Sequence, residues 1–314
     1  MKKTHEVIII GAGLAGLTAG IYTAREMLST LTLEKLTCGG WPNISGKIEN
    51  YPGFPGGIQG IELSARFKEQ AEGFGVEIRE FEEARQVAPG PELIAVDTAE
   101  GSYAAPCLII ATGSRLRKLG VPGEKKLTGK GVSYCATCDG PLFRDRIVAV
   151  IGGGNAALEE ALFLTGFVSR LYLIHRRKEF RGEKILVEEL KKNPAVELVL
   201  DSSPVSINGE ELVASITIRN NTTGRSRDID LAGVFIFVGV EPNSGFLADA
   251  VELDESGHVK TDLRMRTSRA GIFAAGDIRA ENVRQVAAAC GEGTAAALAA
   301  RDHIRKLSGS VYGR

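Results

Sequence analysis

Two cysteines stand two residues apart, with an aspartate directly behind them, in Gly131-Val-Ser-Tyr-Cys-Ala-Thr-Cys-Asp-Gly140. Such a pair suits a metal clip, a redox dithiol, or two unrelated thiols at a turn. A structural zinc site needs four ligands, usually two such pairs or one pair with closely spaced histidines. The chain has no second Cys-x-x-Cys, and its four histidines, His5, His175, His258 and His303, lie far apart. An iron–sulfur cluster meets the same shortage. A redox disulfide needs only Cys135 and Cys138, because two intervening residues let them close a small ring. Asp139 adds a proton source beside a thiolate that leaves or forms during exchange. The redox reading is favoured, and no metal is expected.

A dithiol relay needs an electron source, and two segments share a grammar that could hold one. They are Glu6-Val-Ile-Ile-Ile-Gly-Ala-Gly-Leu-Ala-Gly16 and Ile147-Val-Ala-Val-Ile-Gly-Gly-Gly-Asn-Ala-Ala157. Each opens with a β-branched run that suits a buried parallel strand. A glycine turn and an alanine-rich helical stretch follow, over 16–25 and 156–165. A glycine fingerprint alone is weak evidence; between a strand and a helix it is the context that dinucleotide binding requires. Glycines let the backbone approach a pyrophosphate, and the helix N-terminus offers N–H donors and partial positive charge. Gly11, Gly13 and Gly16 form one candidate site, and Gly152 and Gly154 the other. One site plus a structural echo is the alternative.

The end of the next strand should tell the nucleotides apart. Glu34 stands there in the first copy, and His175 stands at the same offset in the second. A carboxylate accepts hydrogen bonds from a ribose hydroxyl and repels a 2′-phosphate, so the first copy suits FAD or NAD. The second continues as His175-Arg-Arg-Lys-Glu-Phe-Arg181, which places Arg176, Arg177 and Arg181 where a 2′-phosphate would project. Guanidinium forks match phosphate oxygens, so this copy favours NADPH over NADH. A solvated basic loop is the plainer alternative.

The elements that must position these residues read as an α/β chain. Cys107-Leu-Ile-Ile-Ala-Thr-Gly113 is a buried strand ending at a glycine turn, which puts Gly113 beside the first site, and 233–239 is a similar strand. Pro- and Gly-rich stretches at 120–123 and 239–245 read as linkers. The expected fold is therefore two Rossmann-like dinucleotide-binding domains with parallel-sheet cores, the second inserted into the first. An FAD domain takes 1–117, an NADPH domain with the dithiol takes 118–244, and the FAD domain resumes over 245–314. In that last part, Gly271-Ile-Phe-Ala-Ala-Gly-Asp277 runs into a turn before a helical run from Gln285 to Ile304. Asp277 there could bond a ribityl hydroxyl or cap the helix.

Composition narrows the partners. A net charge of −1 over 314 residues gives no reason to expect nucleic acid or an anionic membrane. The N-terminal Lys-Lys and apolar run superficially resemble a signal peptide, but the glycine spacing favours the strand-turn-helix reading. No apolar run approaches the roughly 20 residues of a membrane span. Five unevenly spaced cysteines do not make a secreted disulfide framework, so a cytoplasmic setting is expected.

Together, the two fingerprints, Cys135-Ala-Thr-Cys138-Asp139, Gly152-Gly-Gly-Asn-Ala-Ala157, His175-Arg-Arg-Lys-Glu-Phe-Arg181 and Gly276-Asp277 resemble the low-molecular-weight bacterial and archaeal thioredoxin reductases over nearly the whole chain. The resemblance implies FAD on Gly11, Gly13, Gly16 and Glu34, with Asn50 near the flavin, Asp277 on the ribityl chain and Arg284 and Gln285 at the flavin edge or domain interface. It implies NADPH on Gly152, Gly154, Asn155, Arg176, Arg177 and Arg181. Cys138 would face the flavin, Cys135 would attack thioredoxin, and Asp139 would be the acid, in a homodimer whose nucleotide domain rotates. The alternative is another FAD-dependent disulfide reductase with a different protein substrate or donor. Two features depart from the family: Trp41 stands in Gly39-Gly40-Trp41 where the family often has Gln, and Cys38 and Cys290 are additional thiols, most simply core or surface residues.

Overall fold

The computed structural model describes residues 3–44, 47–48, 50–247 and 249–309. The chain starts with strand β1 (Val7–Ile10), helix α1 (Leu14–Arg25), strand β2 (Thr30–Leu33), helix α2 (Gly60–Gly73) and strands β3 (Glu77–Arg79) and β4 (Cys107–Ile110). It continues through β5 (Val132–Ser133), the short helix α3 (Ala136–Asp139), β6 (Ile147–Gly152), α4 (Asn155–Thr165), β7 (Arg170–Ile174), α5 (Lys184–Lys192), β8 (Val196–Val199) and β9 (Gly233–Phe237). It ends with β10 (Ile272–Ala274) and the long helix α6 (Val286–Leu307).

These elements form two compact units, Met1–Arg115 with Glu241–Arg314, and Leu116–Val240. The first is built on a parallel five-stranded sheet of order β10-β4-β1-β2-β3. β1, β2 and β4 are buried at every position. Their side chains meet apolar neighbours on both faces, which is why these runs show no polar alternation. Helices α1 and α6 cover one face, with Ala15 and Ala19 packed among Ala296, Ala297 and Ala300. Small residues set that approach: a Cβ added at Gly293 would lie 2.2 Å from the Ala15 carbonyl oxygen.

The second unit repeats the plan with a parallel five-stranded sheet of order β5-β9-β6-β7-β8. Each unit also carries an antiparallel sheet, over 86–105 in the first and 202–230 in the second. The glycine-rich stretch 120–123, read from sequence as a linker, is packed inside the second unit. Ile207 N–H donates to the Pro122 carbonyl at 2.9 Å, and a Cβ added at Gly123 would lie 1.8 Å from the Ile207 carbonyl oxygen. The crossing therefore precedes it, at 115/116, and the return at 240/241 falls within the second glycine-rich stretch. On the first unit's side the connections are tied by Asn243, which donates from Nδ2 to the Thr112 carbonyl at 2.8 Å and from its N–H to the Gly113 carbonyl at 3.0 Å. Among the described residues, no helix is long and apolar enough to cross a membrane.

Candidate active site

In the first unit the fingerprint turn joins β1 to α1. Gly11 has φ +101°, in the left-handed region that side chains avoid, and a Cβ there would strike the Ala111 carbonyl oxygen at 2.4 Å. Gly16 is closed for another reason: its Cβ would lie 1.9 Å from the Gly11 carbonyl oxygen, so the helix and turn touch backbone to backbone. Helix α1 begins after Gly13 with no side-chain cap and no acid in its first turn, which leaves its N-terminal donors for a ligand. Glu34 reaches back to this turn, its Oε2 accepting from Ala12 N–H at 2.8 Å and its Oε1 from Leu36 N–H at 2.9 Å.

The neighbouring strand ends complete this edge. Gly113 follows β4 with φ +62°. Asp277 follows β10 at the Gly276 turn, and burial pushes its carboxyl above the ordinary range, while the positive charge of Arg284 opposes that shift. Gln285 caps α6 by backbone geometry and accepts from Asn50 Nδ2 at 3.1 Å. One set of contacts carried no sequence signal. Glu292 Oε2 accepts from Gly276 N–H at 2.7 Å, Glu292 pairs with Arg279 at 2.5 Å, and Asn282 Nδ2 reaches both of its oxygens at 2.9 Å. A lone acid within a helix reads as surface, yet this one fixes the turn that presents Asp277.

In the second unit, Gly152 to Gly154 lead from β6 into α4, again with no side-chain cap and no acid in the first turn. Asn155 exchanges two hydrogen bonds with Glu183, donating to its Oε1 at 3.0 Å and accepting from its N–H at 2.8 Å. Arg181 N–H donates to the Gly153 carbonyl at 2.8 Å, which places the basic loop against the turn. Arg176, Arg177 and Arg181 are exposed. His175, expected among the ligand contacts, is turned inward. It is buried, stacked on Phe180 with centroids 5.3 Å apart, and bonded to the Glu179 carbonyl at 3.1 Å. Burial lowers its pKa, which keeps the ring neutral. A Cβ at Gly153 would lie 2.3 Å from that ring, so the imidazole supports the turn from beneath.

The dithiol segment lies in this unit, on α3, which follows the edge strand β5. Ser133, the last residue of β5, is buried and donates from Oγ to Asp139 Oδ2 at 2.6 Å, while Cys135 N–H donates to Ser133 Oγ at 3.1 Å. One hydroxyl thus orients both the acid and the first cysteine. Asp139 N–H donates to the Cys135 carbonyl at 3.2 Å, and Cys135 Sγ lies 3.3 Å from Thr137 Oγ1. The Cys138 side chain falls outside the described residues. In the sheet, β9 separates β5 from β6, so the dithiol and the Gly152–Gly154 turn sit at the carboxyl edge of one parallel sheet. That edge is where open α/β sheets place their ligands.

Cys38, Cys107 and Cys290 are free thiols. Burial pushes Cys107 up to about 12, and burial with the Glu80 carboxylate takes Cys38 to about 12. Burial raises Cys290 too. A protonated buried thiol is a poor nucleophile, which leaves exchange chemistry to the 135–139 segment.

The chain is similar to known proteins over nearly its whole length. The pyridine nucleotide-disulphide oxidoreductase family matches residues 5–293. The thioredoxin reductase of Treponema pallidum (strain Nichols) is 42% identical over 307 residues, which cover 98% of this chain and 99% of that protein. The crystal structure of Lactococcus lactis thioredoxin reductase in its FR conformation matches with a TM-score of 0.80 at 39% identity, over 96% of this chain and 100% of that one. A ferredoxin-flavin thioredoxin reductase from Clostridium acetobutylicum is also similar, with a TM-score of 0.53 at 29% identity over 98% and 100%. The chain belongs to the pyridine nucleotide-disulphide oxidoreductase family, among the thioredoxin reductases.

Proposed function

We propose that this oxidoreductase reduces the disulfide of thioredoxin with electrons from NADPH, using FAD in the first unit and the Cys135–Cys138 disulfide in the second. The observation that carries this reading is the 135–139 segment at the carboxyl edge beside Gly152–Gly154, with Ser133 holding Asp139 at 2.6 Å. The residues of the first unit fit a dinucleotide. Its helix start is uncapped, the carboxylate of Glu34 is fixed at the turn with lone pairs to spare for a ribose, and the half-buried Asp277 accepts no hydrogen bond from the described side chains. Bound there, FAD would supply two-electron transfer between a nicotinamide and a disulfide.

The chain's own residues do the rest. Gly11, Gly13, Gly16 and Glu34 would hold FAD, with Asp277 on the ribityl chain, Asn50 near the flavin, Arg284 and Gln285 toward its edge, and Gly113 in the same site. In the second unit, Gly152, Gly154 and Asn155 take the other pyrophosphate. Arg176, Arg177 and Arg181 clamp the 2′-phosphate, and His175 holds their loop in place. Two electrons break the Cys135–Cys138 bond and leave two sulfur anions, of which one takes a proton through Asp139. The Cys135 thiolate then attacks the thioredoxin disulfide, the thioredoxin sulfur this frees takes the Cys138 proton through Asp139, and the Cys138 thiolate so formed attacks the resulting mixed disulfide. This restores the intramolecular bond and releases thioredoxin as a dithiol after a second proton is taken up. The working form is a cytoplasmic homodimer.

Anaerobic titration of the purified flavoprotein with NADPH tests this. Bleaching of the flavin band should take up more equivalents than the flavin alone holds, and the excess should vanish in Cys138→Ser. If NADPH and NADH both leave the flavin oxidised while reduced ferredoxin bleaches it, the donor assignment is wrong. If the flavin bleaches but thioredoxin stays oxidised, the protein substrate is a different one.

A further inference from the structure

Trp41, the chain's single tryptophan, occupies a defined place in the first unit. Its indole Nε1 donates to the Ser114 carbonyl at 3.0 Å, directly after the Gly113 turn that ends β4. The backbone just before it is tied to the fingerprint turn: Gly39 N–H donates to the Ala12 carbonyl at 2.8 Å, and a Cβ on Gly40 would touch the Gly13 Cα at 3.5 Å. The remainder of the loop is braced as well. Cys38 N–H donates to Glu80 Oε1 at 2.8 Å, and Asn43 Nδ2 donates to the Cys38 carbonyl at 2.6 Å. The segment 38–44 therefore runs from the turn after β1 to the turn after β4, two adjacent strands of the sheet. The indole hydrogen bond is its attachment at the β4 side.

One unsatisfied atom belongs to the acceptor residue of that attachment, and a second lies within the loop. Ser114 Oγ and Asn43 Oδ1 are buried and meet no hydrogen-bond partner among the described residues. Ser114 is 8% exposed, so its hydroxyl is removed from bulk water without compensation. Such orphaned groups are rare in folded proteins and call for a ligand. Ser114 directly follows Gly113, at the sheet edge that also holds Gly11 and Gly13, and Asn43 Oδ1 lies beside Gly39.

We propose that Trp41 is a clasp on the FAD site: its indole N–H closes segment 38–44 onto the end of β4, so that a bound dinucleotide leaves only after this hydrogen bond opens. The clasp rests on the assignment of FAD to the first unit. Trp41 is a positioning residue, which takes no part in electron or proton transfer. Its effect falls on release and uptake, because the bond joins two protein segments and must break for the loop to lift.

The test is the rate of FAD release from the holoenzyme after dilution, and of uptake by the FAD-free protein, followed by flavin fluorescence and by emission of the single indole. Two variants separate the N–H from the ring. Trp41→Phe removes both indole nitrogen and bulk. Replacement of tryptophan by the benzothiophene analogue during expression alters position 41 alone and deletes only the N–H. Both should release FAD about five- to tenfold faster, the size expected for losing one net hydrogen bond, and take it up faster by a similar factor, because a bond between two protein segments must open for entry as well as for exit. Release at the wild-type rate in the benzothiophene protein overturns the clasp. So does faster release with the uptake rate unchanged, which would make Trp41 a residue that shapes the site without closing it. A wild-type protein that neither purifies with FAD nor takes it up defeats the FAD assignment itself, a result distinct from either.

Discussion

Ser133 is the side chain on which the dithiol segment depends, because its hydroxyl serves Asp139 and the Cys135 amide together. Ser133→Ala leaves the acid unoriented and the amide without its acceptor. Thioredoxin turnover should fall roughly 10- to 100-fold, in the range of a misplaced general acid, with flavin reduction by NADPH unchanged in a stopped-flow trace. Thiol reactivity separates the cysteines at the same scale. In the reduced native protein at pH 7.5, iodoacetamide should label the 135–138 pair first, and Cys38 and Cys107, held at about 12, only after denaturation. Peptide mass spectrometry reads the order, and early labelling of Cys107 would contradict the burial argument. Asp277 gives a pH dependence. Its folded carboxyl is raised by burial above the unfolded value of 3.8, so the folded state binds more protons there and loses stability as pH rises through the folded value. The FAD-free Asp277→Asn protein should therefore melt higher than wild type at pH 7, and the difference should shrink toward pH 4. FAD binding should weaken in the same variant.

At the scale of elements, the glycines that read as a binding motif also serve as packing surfaces. Gly293 in α6 lies outside either fingerprint, yet a Cβ added there would lie 2.2 Å from the Ala15 carbonyl oxygen of α1. Gly293→Ala forces the two helices apart at about 1–3 kcal/mol, the usual cost of overpacking, which differential scanning calorimetry should register as a lower melting temperature. FAD should also be lost, because the N-termini of both helices border the site. The basic loop after β7 is the second unit's counterpart. Arg176, Arg177 and Arg181 are exposed, held by the Gly153 contact and by the buried His175. Arg176→Ala with Arg177→Ala should raise the KM for NADPH roughly 10- to 100-fold through the loss of charged hydrogen bonds, leaving that for NADH within about twofold. An equal effect on both nucleotides would make the loop a mere solvated surface.

For the whole molecule, two crossings at 115/116 and 240/241 are all that join the units along the chain. If the dithiol and the nicotinamide must use the flavin in turn, each cycle requires the units to reorient through those crossings. A disulfide that bridges the two connections should then slow steady-state thioredoxin reduction while either half-reaction stays measurable alone. An unchanged steady-state rate would remove the need for such motion.

The sequence by itself determined the repeated strand-turn-helix plan, its two glycine turns and the places of the Cys-x-x-Cys pair, the acids and the arginines at strand ends. These depend on local rules: a buried parallel strand must be apolar throughout, a turn that approaches phosphate must lack a Cβ, and exchange needs two thiols in reach. Only the tertiary structure decided what lies far apart in the chain. Nothing in the sequence marks Glu292 as the partner of Gly276 and Arg279, Ser133 as the holder of Asp139, or the Ser114 carbonyl as the acceptor for Trp41. His175 shows the limit most clearly, since its offset fixed its place after β7 while its stacking against Phe180, beneath Gly153, was decided by the fold. Offsets along a strand fix a backbone position, whereas the direction of a side chain is settled by the neighbours that exclude water from it.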